Sequence, residues 1–156
     1  MKIAVIGPGA MGLLFGAKLA QAGNDVTMVG TNPAVITRIN QEGIHLEFGC
    51  ENTYVPVNAR CAQEMDSPVD LAVLFTKTIC SKAALDACGS YVSPETWMLT
   101  MQNGLGNIEL VERYVSRDKI IAGVTTFGAD LKEPGYTVSS GQGYLKIMSA
   151  NGQFSS

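Results

Sequence analysis

The sequence predicts an α/β fold: a doubly wound, mostly parallel sheet with helices on both faces and antiparallel strands near the C-terminus. Three observations point there. Short apolar runs, of the kind buried on both faces of a parallel sheet, recur at residues 2–7, 25–30, 70–76 and 96–102. Segments of helical period lie between them. The connections are short and rich in glycine, proline and asparagine.

Taken in order, KIAVIG (2–7) reads as a buried strand. From Gly9 the period changes, and Met11, Leu14, Phe15, Leu19 and Ala22 share a helical face that Gly23 terminates. DVTMVG (25–30) is a second buried strand. PAVITRINQEG (33–43) reads as a helix with Asn32 as N-cap, Pro33 at its first position and Gly43 at its end. IHLEF (44–48) and NTYVPVNA (52–59) alternate weakly, as a hairpin or edge ribbon does, and Pro56 keeps the second from being a central strand. DLAVLFT (70–76) returns to the buried type. A helix over about 79–91 follows, with Ile79, Ala83, Ala87 and Tyr91 on one face. TWMLTMQ (96–102) is a strand, NGLG a turn, NIELVERYV (107–115) a short helix and KIIAGVTTFGA (119–129) a further strand. YTVSSG and YLKIM then suggest a closing antiparallel pair.

Composition narrows the function. The chain has 156 residues, 46% hydrophobic and 16% charged, which suits one domain with its own core and excludes a solvated tail. A net charge of −3 offers no basic stripe to a nucleic-acid backbone. No apolar run approaches the ~20 residues that span a bilayer. Met1 and Lys2 lead directly into a strand without a signal-peptide layout. Cys50, Cys61, Cys80 and Cys88 show neither a CxxC pair nor metal-ligand spacing, so a cytoplasmic protein with reduced, structural thiols and no metal is expected. Cys80 and Cys88 are read as core, and His45, the only histidine, as a surface or hairpin residue.

Right-handed crossovers place the loops after each parallel strand along one sheet edge, where such folds bind ligands. The first of these loops is GPGAMG: Gly7, Pro8, Gly9, Ala10, Met11 and Gly12. A lone GxGxxG serves equally as a turn, but here it follows an apolar strand and opens an amphipathic helix, the context of a Rossmann dinucleotide site. Gly7 allows the tight turn, Gly9 the approach of a pyrophosphate and Gly12 the close packing of helix on strand. The helix N-terminus adds unpaired N–H groups and partial positive charge. The second strand ends Gly30-Thr31-Asn32, with no carboxylate for an adenosine ribose. That favours NADP(H) over NAD(H): Thr31 and Asn32 can hydrogen-bond a 2′-phosphate, and Arg38 could reach it from the next helix. Thr76 and Lys77 follow the third buried strand, and Lys77 is either a solvated loop residue or an ammonium beside a cofactor ribose, nicotinamide or substrate carboxylate. Gln102, Asn103 and Gly104 likewise form either a plain Asn-Gly turn or a place where the Asn103 amide meets a small oxo-acid.

The set MKIAVIGPGAMG, LFTK, QNGLGN, GVTTFGA and SGQGYLKI, in this order, resembles the N-terminal domain of ketopantoate reductases (2-dehydropantoate 2-reductases) over almost the whole chain. The resemblance implies reduction of 2-dehydropantoate to pantoate with NADPH, on the route to pantothenate and coenzyme A. It implies that residues 7–12 hold the pyrophosphate, that Lys77 lies beside the nicotinamide ribose and substrate, that Asn103 contacts both, and that Ala129 lies along the cofactor. Many members carry arginine where this chain has Thr31. The resemblance also implies that residues 1–156 form the NAD(P)-binding domain and that a C-terminal helical catalytic domain, absent from this chain, supplies the lysine proton donor. No catalytic residue is then expected here, Lys77 being the one residue able to stand in for that donor in part. A first domain alone exposes the apolar surface that a second would cover, which opens a route to homo-oligomers. Two other readings remain: a stand-alone NADP-binding module without turnover, and the corresponding domain of a related 2-oxo-acid or 3-hydroxy-acid dehydrogenase.

Overall fold

The first strand, β1 (Lys2–Ile6), explains why the sheet carries helices on both faces. Ile3 and Val5 point into one hydrophobic core, Ala4 and Ile6 into another, and all four are buried. The computed structural model describes residues 1–152, so the last four residues of the expected 1–156 domain lie outside the described residues. Helix α1 (Ala10–Gln21) returns the chain to β2 (Asp25–Val29), and α2 (Pro33–Glu42) follows, capped by the Asn32 side chain, which accepts the Ala34 N–H at 3.0 Å. Next come β3 (Ile44–Phe48), β4 (Glu51–Val55), β5 (Asn58–Arg60), β6 (Leu71–Leu74), α3 (Thr78–Asp86), β7 (Trp97–Thr100), α4 (Asn107–Val111), β8 (Ile120–Thr125), β9 (Asp130–Glu133), β10 (Tyr136–Ser139) and β11 (Leu145–Ser149).

Seven strands form the main sheet in the order β11-β8-β7-β6-β1-β2-β5, parallel throughout except for β11, which runs antiparallel to β8. The doubly wound, mostly parallel α/β architecture expected from the sequence is present. Helices α1 and α2 bury Leu13, Leu14, Ala17 and Ile39 against one face; α3 and α4 bury Leu85 and Val111 against the other. The chain leaves β1 towards β2 on one side and later returns to β6 on the other, so the strand order reverses between β1 and β6. A crevice beyond the carboxyl ends of strands at such a reversal is where α/β sheets take ligands.

Several expected elements differ in the structure. The segment 52–59 divides at Pro56: β4 completes a hairpin with β3, while β5 joins the edge of the main sheet beside β2. Proline lacks the N–H a continuous ladder needs. The two closing segments do not pair with each other. β10 enters a second, four-stranded sheet ordered β4-β3-β10-β9, parallel to β3, and β11 takes the free edge of β8. The cause is burial: Thr137 and Ser139 of β10 turn inward, and Thr137 Oγ1 donates to the Ala10 carbonyl at 3.0 Å, fixing this sheet over α1. The helix expected over 79–91 stops at Asp86, that expected over 107–115 stops at Val111, and the strand expected over 119–129 stops at Thr125. In α1, Leu13 and Ala17 lie deeper than Met11, Phe15 and Leu19, which are half-buried. His45 lies on the small sheet as expected, its ring stacked between Tyr54 and Tyr136. The outer end of the main sheet leaves Val124, Leu145, Ile147 and Met148 exposed. No helix among the described residues is long and apolar enough to cross a membrane.

Beneath α3 lies a pH-sensitive part of the core. Burial pushes the Cys88 thiol up to about 11 and also raises the Tyr91 phenol. Above about pH 8.5, the ordinary thiol value, the unfolded chain releases the Cys88 proton while the folded chain retains it, so stability falls as pH rises. Urea midpoints are expected to decline from about pH 8.5, the Cys88 share ending near pH 11 where the folded thiol ionises too, while the raised Tyr91 phenol carries the decline to higher pH. A decline of equal slope in Cys88→Ala would show that another group is responsible.

Candidate functional site

At the strand-order reversal the glycine turn is packed against the end of β6. Gly7 adopts φ +103° and donates its N–H to the Val29 carbonyl at 2.9 Å. A Cβ on it would lie 2.9 Å from Thr76 N and 3.0 Å from Phe75 C, so neither the turn nor the close approach admits a side chain. A Cβ on Gly12 would fall on the Gly7 carbonyl oxygen. Gly9 differs: its φ of −85° suits any residue, and nothing lies within 4 Å of where its side chain would begin. It is the N-cap of α1, whose first turn carries no side-chain cap and no acidic residue. Open space therefore faces unpaired N–H groups and the positive end of a helix dipole.

Beside this turn runs a cleft of about 680 Å³, lined by Gly7, Pro8, Gly30, Thr31, Thr76 and, on α3, Ile79, among others. Its α3 wall includes Ile79 and Ala83, which the sequence places on one helical face. Ile79 is 90% exposed, and Cys80, expected to be buried, is exposed as well. Only Cys88 of that pair is core. Thr31 and Asn32 are exposed at the end of β2, with the Asn32 oxygen already committed to capping α2. Arg38 is held elsewhere, 2.8 Å from Glu133 and 3.3 Å from Glu42, partners that raise its pKa.

Lys77 is the N-cap residue of α3. Its carbonyl accepts the Cys80 N–H at 2.8 Å and the Ser81 hydroxyl at 3.3 Å, while its side chain is exposed and forms no ion pair among the described residues. The Gln102 amide nitrogen hydrogen-bonds the Thr76 carbonyl and reaches Ser81 Oγ at 2.7 Å. Thr78 Oγ1 donates to the Asn103 carbonyl at 3.5 Å, so the loops carrying Lys77 and Asn103 are tied together. Buried Asn107 gathers the glycine-rich turn, its amide donating to the carbonyls of Gln102, Asn103 and Gly104 at 3.2–3.3 Å, and leaves the Asn103 side chain exposed. Ala129 packs with Phe127 against the core on the α1 side. Thr137 Oγ1, bonded to Ala10, also lies 3.5 Å from the Asp130 carbonyl, which brings the Ala129 segment to the first turn of α1.

The structure thus brings residues 7–12, Thr31, Thr76, Lys77, Gln102, Asn103 and Gly104 to one side of the sheet; Arg38 is turned away. Sequence reasoning missed Ser81, Asn107 and Thr137. Each is a buried polar residue in or next to an apolar segment, and that pattern is the signal that could have found them.

Comparison with known proteins bears on the fold and the family. The profile of the family described as Ketopantoate reductase PanE/ApbA matches residues 3–152. The chain is 39% identical over 147 residues to a 2-dehydropantoate 2-reductase of Pyrococcus horikoshii, covering 94% of this chain and 47% of that protein. Among solved structures, 2-dehydropantoate 2-reductase from Geobacter metallireducens superposes with a TM-score of 0.90 at 28% identity, over 99% of this chain and 51% of that one. A ternary structure of D-mandelate dehydrogenase with NADH and anilino(oxo)acetate gives 0.89 at 30% identity, over 96% and 49%. The chain spans about half the length of the relatives it matches. With its glycine turn, its fold and nearly its whole length accounted for by that match, the chain belongs to the ketopantoate reductase PanE/ApbA family.

Proposed function

We propose that this chain is the nucleotide-binding half of an NADP(H)-dependent 2-dehydropantoate 2-reductase, which converts the 2-oxo group of ketopantoate to a hydroxyl on the way to pantothenate and coenzyme A. The observation that carries the reading is the glycine turn at the strand-order reversal, closed to side chains at Gly7 and Gly12 and open at Gly9. A dinucleotide fits these residues. Residues 7–12 would hold the pyrophosphate, Thr31 and Asn32 the adenosine ribose, and Thr76, Gln102, Gly104 and Ala129 the remaining length. The strand end carries no carboxylate to repel a 2′-phosphate, and the Thr31 hydroxyl and Asn32 amide are donors. A reduced nicotinamide bound here supplies hydride to the oxo carbon. This chain's own part is to orient the acid: Lys77 attracts its carboxylate, and Asn103 offers a donor and an acceptor beside it. The proton for the developing alkoxide comes from a lysine in the part of the relatives that this chain does not span.

Calorimetric titration of the chain with NADPH and NADH tests the cofactor half. NADPH is expected to bind the tighter of the two, and a folded chain that takes up neither at about 1 mM would remove the reading. In a protein of the relatives' full length that carries this half, Lys77→Ala and Asn103→Ala are each expected to lower kcat/KM for 2-dehydropantoate about ten-fold or more. Unchanged values would cancel those assignments. The chain alone is expected to show no measurable turnover. The likeness to D-mandelate dehydrogenase supports a second reading, a reductase of another 2-oxo acid. Assays pairing 2-dehydropantoate with an aryl 2-oxo acid separate the two.

A further inference from the structure

Ser81, on α3, is fully buried and joins the two loops that carry Lys77 and Asn103. Its hydroxyl accepts from the Gln102 amide nitrogen at 2.7 Å, lies 3.1 Å from Thr76 Oγ1 and donates to the Lys77 carbonyl at 3.3 Å. A serine hydroxyl has one hydrogen and two lone pairs. The hydrogen goes to Lys77, so Gln102 and Thr76 both act as donors and the group is saturated. Gln102 is equally committed. Its nitrogen also donates to the Thr76 carbonyl, and its Oε1 accepts from Thr100 Oγ1 at 3.4 Å. The amide cannot be turned over, because its oxygen would then face the Thr76 carbonyl oxygen. Both amide hydrogens are therefore spent inside the protein. Lys77 directly follows Thr76, and Asn103 directly follows Gln102. The Ser81 hydroxyl thus holds the residue before each of these side chains, and the Lys77 backbone as well. The other tie between the loops, from Thr78 Oγ1 to the Asn103 carbonyl, is exposed and 3.5 Å long, so water competes for it.

We propose that Ser81 is a positioning residue: through Gln102 and the Lys77 carbonyl it sets the separation of Lys77 from Asn103, and so how the pair receives the nicotinamide end of the nucleotide. The proposal rests on the dinucleotide reading above, and it gives the Gln102 side chain the task of holding the neighbouring loop, leaving its backbone to the nucleotide. The position requires a group that donates and accepts at once. Threonine meets that requirement. Alanine does not, and it leaves a Gln102 hydrogen without its partner in a buried place, so the two loops are free to move apart.

NADPH titrations by calorimetry, beside urea midpoints that show each variant folded, read the effect on the chain. Ser81→Ala is expected to bind NADPH about ten-fold more weakly, and Ser81→Thr to stay within about two-fold of wild type. Gln102→Met keeps the length of the side chain and removes its donor, so it should weaken binding to a similar degree. Combining it with Ser81→Ala should cost no more than either change alone, and in Lys77→Ala the effect of Ser81→Ala should shrink to below about two-fold. Wild-type affinity in folded Ser81→Ala would overturn the proposal, because the hydroxyl would then serve stability alone. Additive losses in the Ser81 and Gln102 pair would overturn it too, since the Gln102 side chain would then meet the nucleotide itself. So would additive losses in the Ser81 and Lys77 pair, or a folded Ser81→Thr that binds as weakly as Ser81→Ala. A wild-type chain that takes up neither NADPH nor NADH is a different result: it overturns the dinucleotide reading, and this proposal with it.

Discussion

Gly12→Ala is expected to abolish NADPH binding and to unfold a large part of the population, whereas Gly9→Ala is expected to keep the fold and lose the ligand. The two glycines belong to one motif, but their surroundings are opposite. A methyl on Gly12 lands on the Gly7 carbonyl oxygen and 3.1 Å from Gly7 C, both backbone atoms. That turn cannot retreat. It is bonded to Val29 on one side and packed on the Phe75 and Thr76 backbone on the other. The strain therefore passes to α1, which must lift Leu13, Leu14 and Ala17 out of the core. Overpacking of this kind costs about 3 kcal/mol or more, a large share of the ~5–15 kcal/mol that stabilises a domain. At Gly9 a methyl meets nothing within 4 Å, and the stability change is that of an exposed N-cap, at most about 1 kcal/mol. The same methyl occupies the space through which a pyrophosphate approaches the first-turn N–H groups. Urea midpoints and NADPH titrations on both variants check the contrast. Wild-type affinity in Gly9→Ala would show that no phosphate passes over that residue.

How much of this was legible beforehand varies from element to element, for physical reasons. The β1–turn–α1 unit could be read because its signals are local: an unbroken apolar strand, glycines at fixed offsets and a change of period at Gly9. The small sheet could not. Its strands come from residues 44–55 and 130–139, and the parallel pairing of β10 with β3 depends on Thr137 turning in towards α1, a contact between residues far apart in sequence. The helix after β6 shows a different limit. Ile79, Ala83 and Ala87 have the spacing of a core-facing stripe, yet in the structure they wall a cleft. Periodicity reports that a face is apolar and is silent on whether protein or ligand covers it. The error over Cys80 has the same source. Lys77 and Asn103 were legible as loop residues at the ligand edge, but the groups that fix those loops, Ser81 and Asn107, act through buried hydrogen bonds that no spacing announces.

Asn107→Asp is expected to destabilise the chain by about 3 kcal/mol, and Asn107→Ala by clearly less. The Asn107 amide nitrogen is the common donor to three carbonyls of the turn that carries Asn103, and the residue is almost fully buried. Aspartate replaces that donor with a charged acceptor facing three oxygens, in a place where water cannot offset the repulsion. Alanine also removes the donor, but with it goes Oδ1, a buried acceptor that has no partner in the native chain, and this partly offsets the loss. The order of the two variants is therefore the informative result. Burial and the facing carbonyls raise the pKa of the introduced carboxyl, and its protonated form can donate one hydrogen bond back. The Asp variant should accordingly recover stability relative to wild type as pH falls through that raised value, and Ala should not. Denaturant midpoints at two pH values measure both effects. If Asp proves no worse than Ala, the Asn107 nitrogen does not face the three carbonyls, and the turn presenting Asn103 is held by some other group.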